Sequence, residues 1–311
     1  MKTPNTAVTV IIPTYNCSLY IEKCIRSVLD QTLKNIEIII IDDCSSDQTI
    51  DLIPCHSNIK IIKNQSRIGA GLSRNSGIKL STGEYIAFLD GDDFYPKRDS
   101  LEKLYRAAKA NNANVAGGSL FILDEKLKKE IRDSPGQYFR CSGFLDYADY
   151  QHDGGFYRFI YKKDFLVKNK LFFHNLLRMQ DPVFFVESMV ASKRFYVIPD
   201  FVYAYRKNHK QVAWNERNVK DKFTAIGLIL KISRENKLAH LHYLMVKNYF
   251  NFFSRHLQKV RGFKNRTFEF LRIFRQIDFN LLNSKWPADK FEYSRLRFIC
   301  SFFCSFIVKK E

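Results

Sequence analysis

The sequence has little that would support a disulfide framework or a zinc site. Its 7 cysteines are an odd number, and none of them form a Cys-x-x-Cys pair, which is a common spacing of structural zinc ligands. No stretch reaches about 18 uninterrupted apolar residues, and the first residues lack the basic start and apolar core of a leader peptide. We therefore expect free thiols, no transmembrane helix, and a protein that stays in the reducing cytoplasm.

Acidic residues are scarce in the last third of the chain. The 311 residues carry a formal net charge of +18, and residues 200–311 hold 23 basic against 9 acidic side chains. Such a surplus suits an anionic membrane surface, a nucleic acid or an acidic glycan. Because no RNP-like, KH-like or zinc-finger pattern occurs, we predict no nucleic-acid partner. The aromatic, basic segment 298–308 is too short to span a bilayer but suits its interface.

Short apolar runs alternate with helical patterns through the first part of the chain. Strands are predicted at residues 8–12, 36–41, 59–63 and 85–89, and helices between them at 18–29, 47–53 and 69–81. This alternation predicts an α/β fold with a parallel, doubly wound sheet. Ligands of such sheets bind beyond the carboxyl ends of the strands, where Pro13, Asp42, Asp43 and residues 90–93 would meet.

The sequence Asp90-Gly91-Asp92-Asp93 follows a buried strand. Three carboxylates this close repel one another unless a cation joins them, and carboxylate oxygens suit Mg²⁺ or Mn²⁺. A solvated turn is the plain alternative, since Asp and Gly are ordinary turn residues. Asp43 also follows a strand and could accept a hydrogen bond from a base N–H or a ribose hydroxyl. Ser46 or Asp47 would then cap the next helix.

Four motifs together resemble the inverting family 2 glycosyltransferases. They are residues 10–16 (VIIPTYN), 41–47 (IDDCSSD), 74–78 (RNSGI) and 83–93 (GEYIAFLDGDD), in the order and at the separations of that family. The resemblance is strong over residues 6–98, fair to residue 206 and absent beyond it. It implies a GT-A fold, that is, a Rossmann-like mixed sheet, and a nucleoside-diphosphate sugar donor, commonly a UDP-sugar.

The resemblance also implies roles for single residues. Pro13 and Tyr15 would contact the base and the ribose, and Asp43 would accept a hydrogen bond from the base N–H. Arg74 would lie near the diphosphate or the base. Asp90 would lie near the ribose, and Asp92 would be the metal ligand. Arg206, in the Tyr203–Arg206 motif, would approach the diphosphate unless the motif is an ordinary edge strand. Cys44 departs from the family, which has Gly or Asn there.

The candidate catalytic base is Asp181. The segment 179–185 (MQDPVFF) matches the family's Glu-Asp-x-x-Phe pattern except that Gln180 replaces Glu. Direct displacement needs a carboxylate that takes the proton of the acceptor hydroxyl. Alternatively, Asp181 caps a helix whose first residue is Pro182. His152, His174 and His209 are isolated in the sequence, and we predict that they are not metal ligands.

The sequence therefore predicts two regions and one activity. Residues 1–210 would form the GT-A catalytic domain, and residues 211–311 a helical, basic and aromatic region that contacts the membrane. The enzyme would use Mn²⁺ or Mg²⁺ to transfer a sugar to a glycan, plausibly lipid-linked, at the inner face of the cytoplasmic membrane during surface polysaccharide synthesis. An aspartyl-phosphate enzyme, a catalytically inactive scaffold and a polyanion-binding protein of the same fold are the alternatives.

Overall fold

The computed structural model describes residues 6–124, 126, 128–131, 138–209, 214–256, 259 and 263–282. Its strands are β1 (Val8–Thr14), β2 (Ile36–Asp42), β3 (Ile59–Lys63), β4 (Tyr85–Phe88), β5 (Val115–Asp124), β6 (Lys129–Ile131), β7 (Gly143–Asp146), β8 (Phe159–Lys162) and β9 (Arg194–Lys207). Its helices are α1 (Ile21–Leu29), α2 (Ala70–Leu80), α3 (Ser100–Ala110), α4 (Tyr147–Tyr150), α5 (Lys163–Lys168), α6 (Gln180–Ser192), α7 (Glu216–Glu235), α8 (Ala239–His256), α9 (Phe263–Phe274) and α10 (Phe279–Leu282), with a 3₁₀ turn at Phe156–Arg158.

The described strands form one mixed sheet in the order β3-β2-β1-β4-β8-β5-β9-β7, with β6 paired to β5. Strands β1 to β4 are parallel, as the alternation of strands and helices predicts. Strand β8 runs antiparallel to both β4 and β5, so the expectation of a wholly parallel sheet is wrong beyond β4. Strand β8 lies between β4 and β5, both of which precede it in the chain.

Burial on both faces accounts for the apolar runs in the first strands. Every residue of β1 and β2 is buried, as expected for parallel strands covered by helices. Helix α1 buries Ile21, Cys24, Ile25 and Val28. Helix α2 packs closely on β1, because a Cβ added at Gly77 would lie 2.5 Å from Ile11 Cγ2. That close approach fixes the position of Arg74, which is one turn earlier on α2.

One predicted helix is wrong. Residues 47–53 form turns instead of a helix. The carboxylate of Asp47 accepts hydrogen bonds from the backbone N–H groups of Ser18 at 3.1 Å and Thr49 at 3.0 Å. These bonds tie the segment to the loop after β1, and Pro54 follows too soon for a regular helix to extend. The Asp47 carboxylate therefore stabilises a loop and does not cap a helix.

The chain divides into two compact units, Met1–Ala225 and Ile226–Glu311. In the second unit the described helices bury a small core that includes Leu241, Val246, Tyr249 and Ile273. Within the described parts of the chain, no helix is both long enough and apolar enough to cross a membrane. The aromatic segment 298–308 lies outside the described residues.

Candidate active site

A pocket of about 1350 Å³ opens at the carboxyl ends of β1, β2 and β4. The pairing of β1 with β2 sets Thr14 beside Asp42, and the pairing of β1 with β4 brings the turn after Phe88 to the same edge. All eight site residues proposed from the sequence line this pocket: Pro13, Tyr15, Asp43, Arg74, Asp90, Asp92, Asp181 and Arg206. The fold therefore brings the eight together, while their individual roles stay predictions.

Of the three carboxylates in the acidic turn after β4, two face the pocket and one is buried in the interior. Ligand oxygens of Asp90, Asp92 and Asp93 lie within 4.8 Å of one another. Asp90 and Asp92 line the pocket. Asp93 is buried and accepts hydrogen bonds from the Tyr203 hydroxyl at 2.8 Å and the Arg206 backbone N–H at 2.7 Å. Burial, followed by the charges of Asp92 and Asp90, raises the pKa of Asp93 well above its usual value.

The pocket-facing carboxylates already have basic partners. Asp90 Oδ1 accepts a hydrogen bond from Arg74 Nη2. Asp92 Oδ2 lies 2.9 Å from Nε2 of His209, and the Asp92 backbone carbonyl accepts a 2.8 Å hydrogen bond from Arg206 Nε. The carboxylate oxygens of Asp90 and Asp92 suit Mn²⁺ or Mg²⁺ in donor chemistry. The residues present therefore fit a divalent cation at Asp92.

His209 is isolated in the sequence but not in space. Besides Asp92, it contacts the ring of Tyr20 edge-on, with 5.2 Å between ring centroids. No local signal relates His209 to an acid 117 residues earlier. The contact arises because β9 ends beside the acidic turn, where Phe94 and Ala204 form a β-bridge. The sequence analysis missed this neighbour of the candidate metal ligand.

Asp43 organises the loop at the opposite end of the pocket. Its Oδ1 accepts hydrogen bonds from Asn64 Nδ2 at 3.0 Å and the Ile68 backbone N–H at 2.8 Å, and its Oδ2 accepts one from the Gly69 backbone N–H at 2.8 Å. The next residue, Cys44, has a left-handed φ of 64°. Glycine and asparagine adopt that conformation most easily, which explains why the family residue there is Gly or Asn.

Tyr15 has a basic neighbour that the motifs did not indicate. The guanidinium carbon of Arg67 lies 3.8 Å from the centroid of the Tyr15 ring, a cation–π distance. Arg67, Pro13, Tyr15 and Asp43 all line the same end of the pocket. This end therefore combines an aromatic ring, a cation and a buried carboxylate.

Arg74 lies between the acidic turn and the aromatic core of the pocket wall. The residue is 3% exposed, and its guanidinium faces the rings of Phe156 at 4.8 Å and Phe173 at 5.2 Å. Its Nε and Nη1 atoms are buried and have no hydrogen-bond partner among the described residues. Unpaired buried donors are costly, so this side chain is suited to bind an anionic group in the pocket.

Asp181 does not cap its helix. Helix α6 begins at Gln180, the N-cap position is Met179 with φ of 65°, and Asp181 lies in the first turn. The capping interpretation is therefore wrong. Desolvation, opposed by the nearby charge of Arg74, raises the pKa of Asp181 to about 6. Such a value is close to that of an effective general base near neutral pH.

A stack of tyrosines forms part of the pocket wall. The Tyr157 ring is parallel to that of Tyr205, with 5.4 Å between centroids and 1° between planes, and it also stacks on Tyr203 at 4.4 Å. Tyr157 and Tyr205 line the pocket. Burial, followed by the charges of Asp93, Asp90, Asp92 and Asp181, raises the pKa of Tyr205. The Tyr203-x-Tyr205 spacing on one strand could have indicated a shared face, but nothing local indicated Tyr157.

Comparison with solved structures establishes the class of fold. The chain aligns with the crystal structure of S. aureus TarS 1–349 in complex with UDP, with a TM-score of 0.70, 18% identity, and coverage of 88% of this chain and 82% of that chain. Similarity at this identity shows the fold alone. It confirms the predicted GT-A architecture, a mixed α/β sheet with a helical carboxy-terminal region.

The Glycosyl transferase family 2 model matches residues 9–176, and the chain belongs to this family. It is therefore a glycosyltransferase. Among curated relatives, poly(ribitol-phosphate) β-N-acetylglucosaminyltransferase TarP of Staphylococcus aureus (strain N315) is 33% identical over 208 residues, 63% of this chain and 61% of TarP. Glycosyltransferase GlyG of Streptococcus pneumoniae serotype 4 is 27% identical over 222 residues, 67% of this chain and 73% of GlyG.

A shorter segment also matches WfaP of Escherichia coli. This UDP-Glc:α-D-GlcNAc-diphosphoundecaprenol β-1,3-glucosyltransferase is 49% identical over 90 residues, which cover 28% of this chain and 36% of WfaP. A short, strongly matching segment of this kind supports a shared reaction core.

Proposed function

We propose that this enzyme transfers a sugar from a UDP-sugar to a glycan acceptor by metal-assisted direct displacement with inversion, in the synthesis of a surface polysaccharide. The observation that carries the proposal is the meeting of the Asp90–Asp92 turn and the desolvated Asp181 in one pocket. The names of the relatives support it, since TarP acts on poly(ribitol-phosphate) and WfaP on UDP-Glc and a diphosphoundecaprenol-linked acceptor.

The nucleotide would bind at the end of the pocket lined by Pro13, Tyr15, Asp43 and Arg67. A carboxylate has about four lone-pair sites, and Asp43 uses three of them for its own loop. The remaining site on Oδ2 is available to a base N–H. Tyr15, covered by Arg67 on one face, would provide the aromatic contact.

The diphosphate would lie between the acidic turn and the two arginines Arg74 and Arg206. Asp92, with Asp90 beside it, would hold Mn²⁺ or Mg²⁺, which neutralises charge on the departing diphosphate when bound. Arg74 has two buried donors without partners among the described residues. Arg206 is fixed by its bond to the Asp92 carbonyl. These fixed cations would stabilise the same charge without reorganisation.

Asp181 would act as the general base. As the acceptor oxygen bonds to the anomeric carbon, the carboxylate takes the hydroxyl proton, and the bond from that carbon to the diphosphate oxygen breaks with its electron pair leaving on UDP. A single displacement of this kind inverts the anomeric configuration. The pKa of about 6 leaves the carboxylate ionised at neutral pH and ready to accept the proton.

A nucleotide panel tests the donor assignment. We would measure thermal shifts and calorimetric affinities for UDP, GDP, CDP and dTDP, each with and without Mn²⁺. Binding to the native state raises apparent stability by mass action, so manganese-dependent stabilisation by UDP alone is expected. Equal responses to all four nucleotides, or none to any, would contradict the proposed donor.

The region after the catalytic part would bring the enzyme to the inner face of the cytoplasmic membrane. We assign catalysis to residues 1–210 and membrane contact to residues 211–311, because most of the basic surplus is in the latter. Lys and Arg clusters bind anionic headgroups, and salt weakens the attraction. Co-sedimentation with phosphatidylglycerol vesicles but not phosphatidylcholine vesicles is expected, and equal binding to both would contradict membrane contact through charge.

A further inference from the structure

Two exposed arginines on the pocket wall have no acidic partner in the described part of the chain. Arg178 and Arg217 both line the pocket, and both are exposed. No ion pair joins either guanidinium group to a described carboxylate. They are 39 positions apart in the sequence, so their presence in one pocket depends on how the chain folds.

A hydrogen bond connects the segments that carry these arginines. The backbone N–H of Leu177 donates to Oδ2 of Asp221 at 2.8 Å. Arg178 is the residue after Leu177. Arg217 lies four residues before Asp221 on α7, and residues with that spacing share one helix face. The two arginines therefore come from adjoining segments of the pocket wall.

The acidic residues beside Arg217 are already engaged. Glu216 forms an ion pair with Lys220 at 2.9 Å, and Asp221 accepts a hydrogen bond from the Leu177 N–H. Both guanidinium groups are therefore available to a bound anion. Because both groups line a concave pocket, a bound anion has access to them together.

The position of the arginines indicates the acceptor and not the donor. The donor site proposed above is built from the ends of β1, β2 and β4, whereas Arg178 and Arg217 come from the segments that precede α6 and begin α7. Arg178 is three residues before Asp181, the proposed base. A group bound at the arginines would thus lie in the pocket that holds the proposed base, which the acceptor hydroxyl must reach.

We propose that Arg178 and Arg217 bind a phosphate group of the acceptor, so that the enzyme selects a phosphate-bearing glycan over a neutral one. The inference rests on the proposed function, since it assigns an acceptor to the same site. Guanidinium groups bind phosphate oxygens through paired N–H donors. Two sources share this chemistry, the phosphodiesters of a polyol-phosphate chain and the diphosphate of a lipid-linked sugar.

The test compares two probes with the full-length chain in the presence of UDP and Mn²⁺. One probe is a glycerol-phosphate trimer, and the other is farnesyl-diphospho-N-acetylglucosamine. Arg178→Ala/Arg217→Ala should weaken binding of at least one probe by about tenfold or more, and the affected probe identifies the phosphate source. Arg178→Lys/Arg217→Lys should retain part of that affinity. Glycerol and free N-acetylglucosamine should not distinguish the variants.

A matched control removes the same charge elsewhere. Arg140 and Lys168 are exposed and do not line the pocket, so Arg140→Ala/Lys168→Ala should bind both probes as the wild type does. Equal losses in the two double variants, or no binding of either probe by the wild type, would overturn the proposal. A parallel loss of UDP affinity in Arg178→Ala/Arg217→Ala would also overturn it, by assigning the arginines to the donor. Absence of UDP binding in the wild type would instead contradict the proposed function.

Discussion

Tyr203 donates a 2.8 Å hydrogen bond from its hydroxyl to Oδ2 of Asp93, and both side chains are buried. The other oxygen of Asp93 accepts the Arg206 backbone N–H at 2.7 Å. The Asp93 side chain therefore faces the interior, and its two hydrogen bonds connect β9 to the turn after β4. Its role is structural, although in the sequence it cannot be distinguished from Asp92.

Removal of this connection should lower stability. Asp93→Ala leaves the Tyr203 hydroxyl and the Arg206 N–H buried without an acceptor, which should reduce the unfolding free energy by about 1–3 kcal/mol. Asp93→Asn should cost less, because its carbonyl can accept the N–H and the tyrosine oxygen can accept from its amide. Urea denaturation measures both. Equal stability of the wild type and Asp93→Ala would contradict the structural role.

Asp92→Ala should have the opposite profile. Asp92 faces the pocket, and its side chain is 18% exposed whereas Asp93 is buried, so the loss of Asp92 should lower the unfolding midpoint less than the loss of Asp93 does. We expect Asp92→Ala to lose the manganese-dependent part of its UDP affinity because the cation would have lost its carboxylate ligand. Calorimetry of UDP with and without Mn²⁺ measures this difference, with Asp93→Asn as the neighbouring control. Full manganese dependence in Asp92→Ala would exclude Asp92 as the ligand.

Much of this pocket could be predicted from the sequence because parallel strands end at one edge of a sheet. Once strands are assigned before Pro13, Asp42 and Asp90, their following residues must converge. Arg74 and Asp181 lie on helices, and they were located through the family resemblance and not through spacing. The mixed character of the sheet likewise follows from the resemblance, since alternation alone predicted a parallel one.

The contacts that the sequence could not indicate join segments far apart in the chain. The ring of Tyr157 stacks on that of Tyr205, and Nε2 of His209 lies 2.9 Å from Oδ2 of Asp92. No sequence periodicity relates the members of either pair. Local competition explains the wrong assignments. Asp47 binds a backbone donor of another loop instead of starting a helix, and Met179 occupies the cap position that the alternative interpretation gave to Asp181.

Asp181→Asn should abolish transfer and raise stability. The folded pKa of about 6 exceeds the ordinary value of 3.8, so the stability contribution of Asp181 is complete below pH 3.8 and is lost as pH rises through 6. Above pH 6 the ionised carboxylate destabilises the fold by at most about 3 kcal/mol, a cost that asparagine avoids. We expect a higher melting temperature, unchanged UDP affinity, and turnover reduced by about 10²-fold or more.

The wild-type pH profile provides a second check on Asp181. A general base must be deprotonated, so kcat/KM, which reports the pKa values of the free enzyme, should fall below pH 6 with a slope of one proton. Initial rates between pH 5 and 8 at substrate concentrations below KM measure it. Near-full turnover in Asp181→Asn, or a profile without an inflection near pH 6, would place the base elsewhere.

Cys44→Gly should stabilise the loop after β2. Cys44 has a left-handed φ of 64°, a conformation that costs a residue with a Cβ about 1 kcal/mol, and glycine relieves that cost. The variant loses the 3.1 Å contact from Cys44 Sγ to the Asn64 carbonyl, which is a weak hydrogen bond. We expect a small net gain in melting temperature for Cys44→Gly and a loss for Cys44→Val. A loss in both variants would mean that the thiol contact outweighs the strain.

His242, in the second unit, should make that unit sensitive to acid. Its Nε2 accepts the Asp278 backbone N–H at 2.9 Å, its Nδ1 lies 2.8 Å from Ser233 Oγ, and the Ser233 hydroxyl donates to the Leu230 carbonyl at 2.9 Å. This chain of bonds requires a neutral ring protonated on Nδ1. Burial lowers the pKa of His242 to about 4 from the ordinary 6.5, because a second proton on Nε2 would be desolvated and would displace the Asp278 N–H.

The consequence is a loss of stability on acidification, opposite in sign to that of Asp181. The stability that neutral His242 provides is fully present above pH 6.5 and falls as pH drops toward 4, by about 3 kcal/mol in total. Urea unfolding at pH 7 and pH 5 should show this loss in the wild type and a smaller one in His242→Gln. His240→Gln is the matched control on the same helix, since His240 is only partly buried and burial lowers its pKa less far than that of His242. If His242→Gln lost as much stability between pH 7 and pH 5 as the wild type does, the acid sensitivity would have to come from other groups.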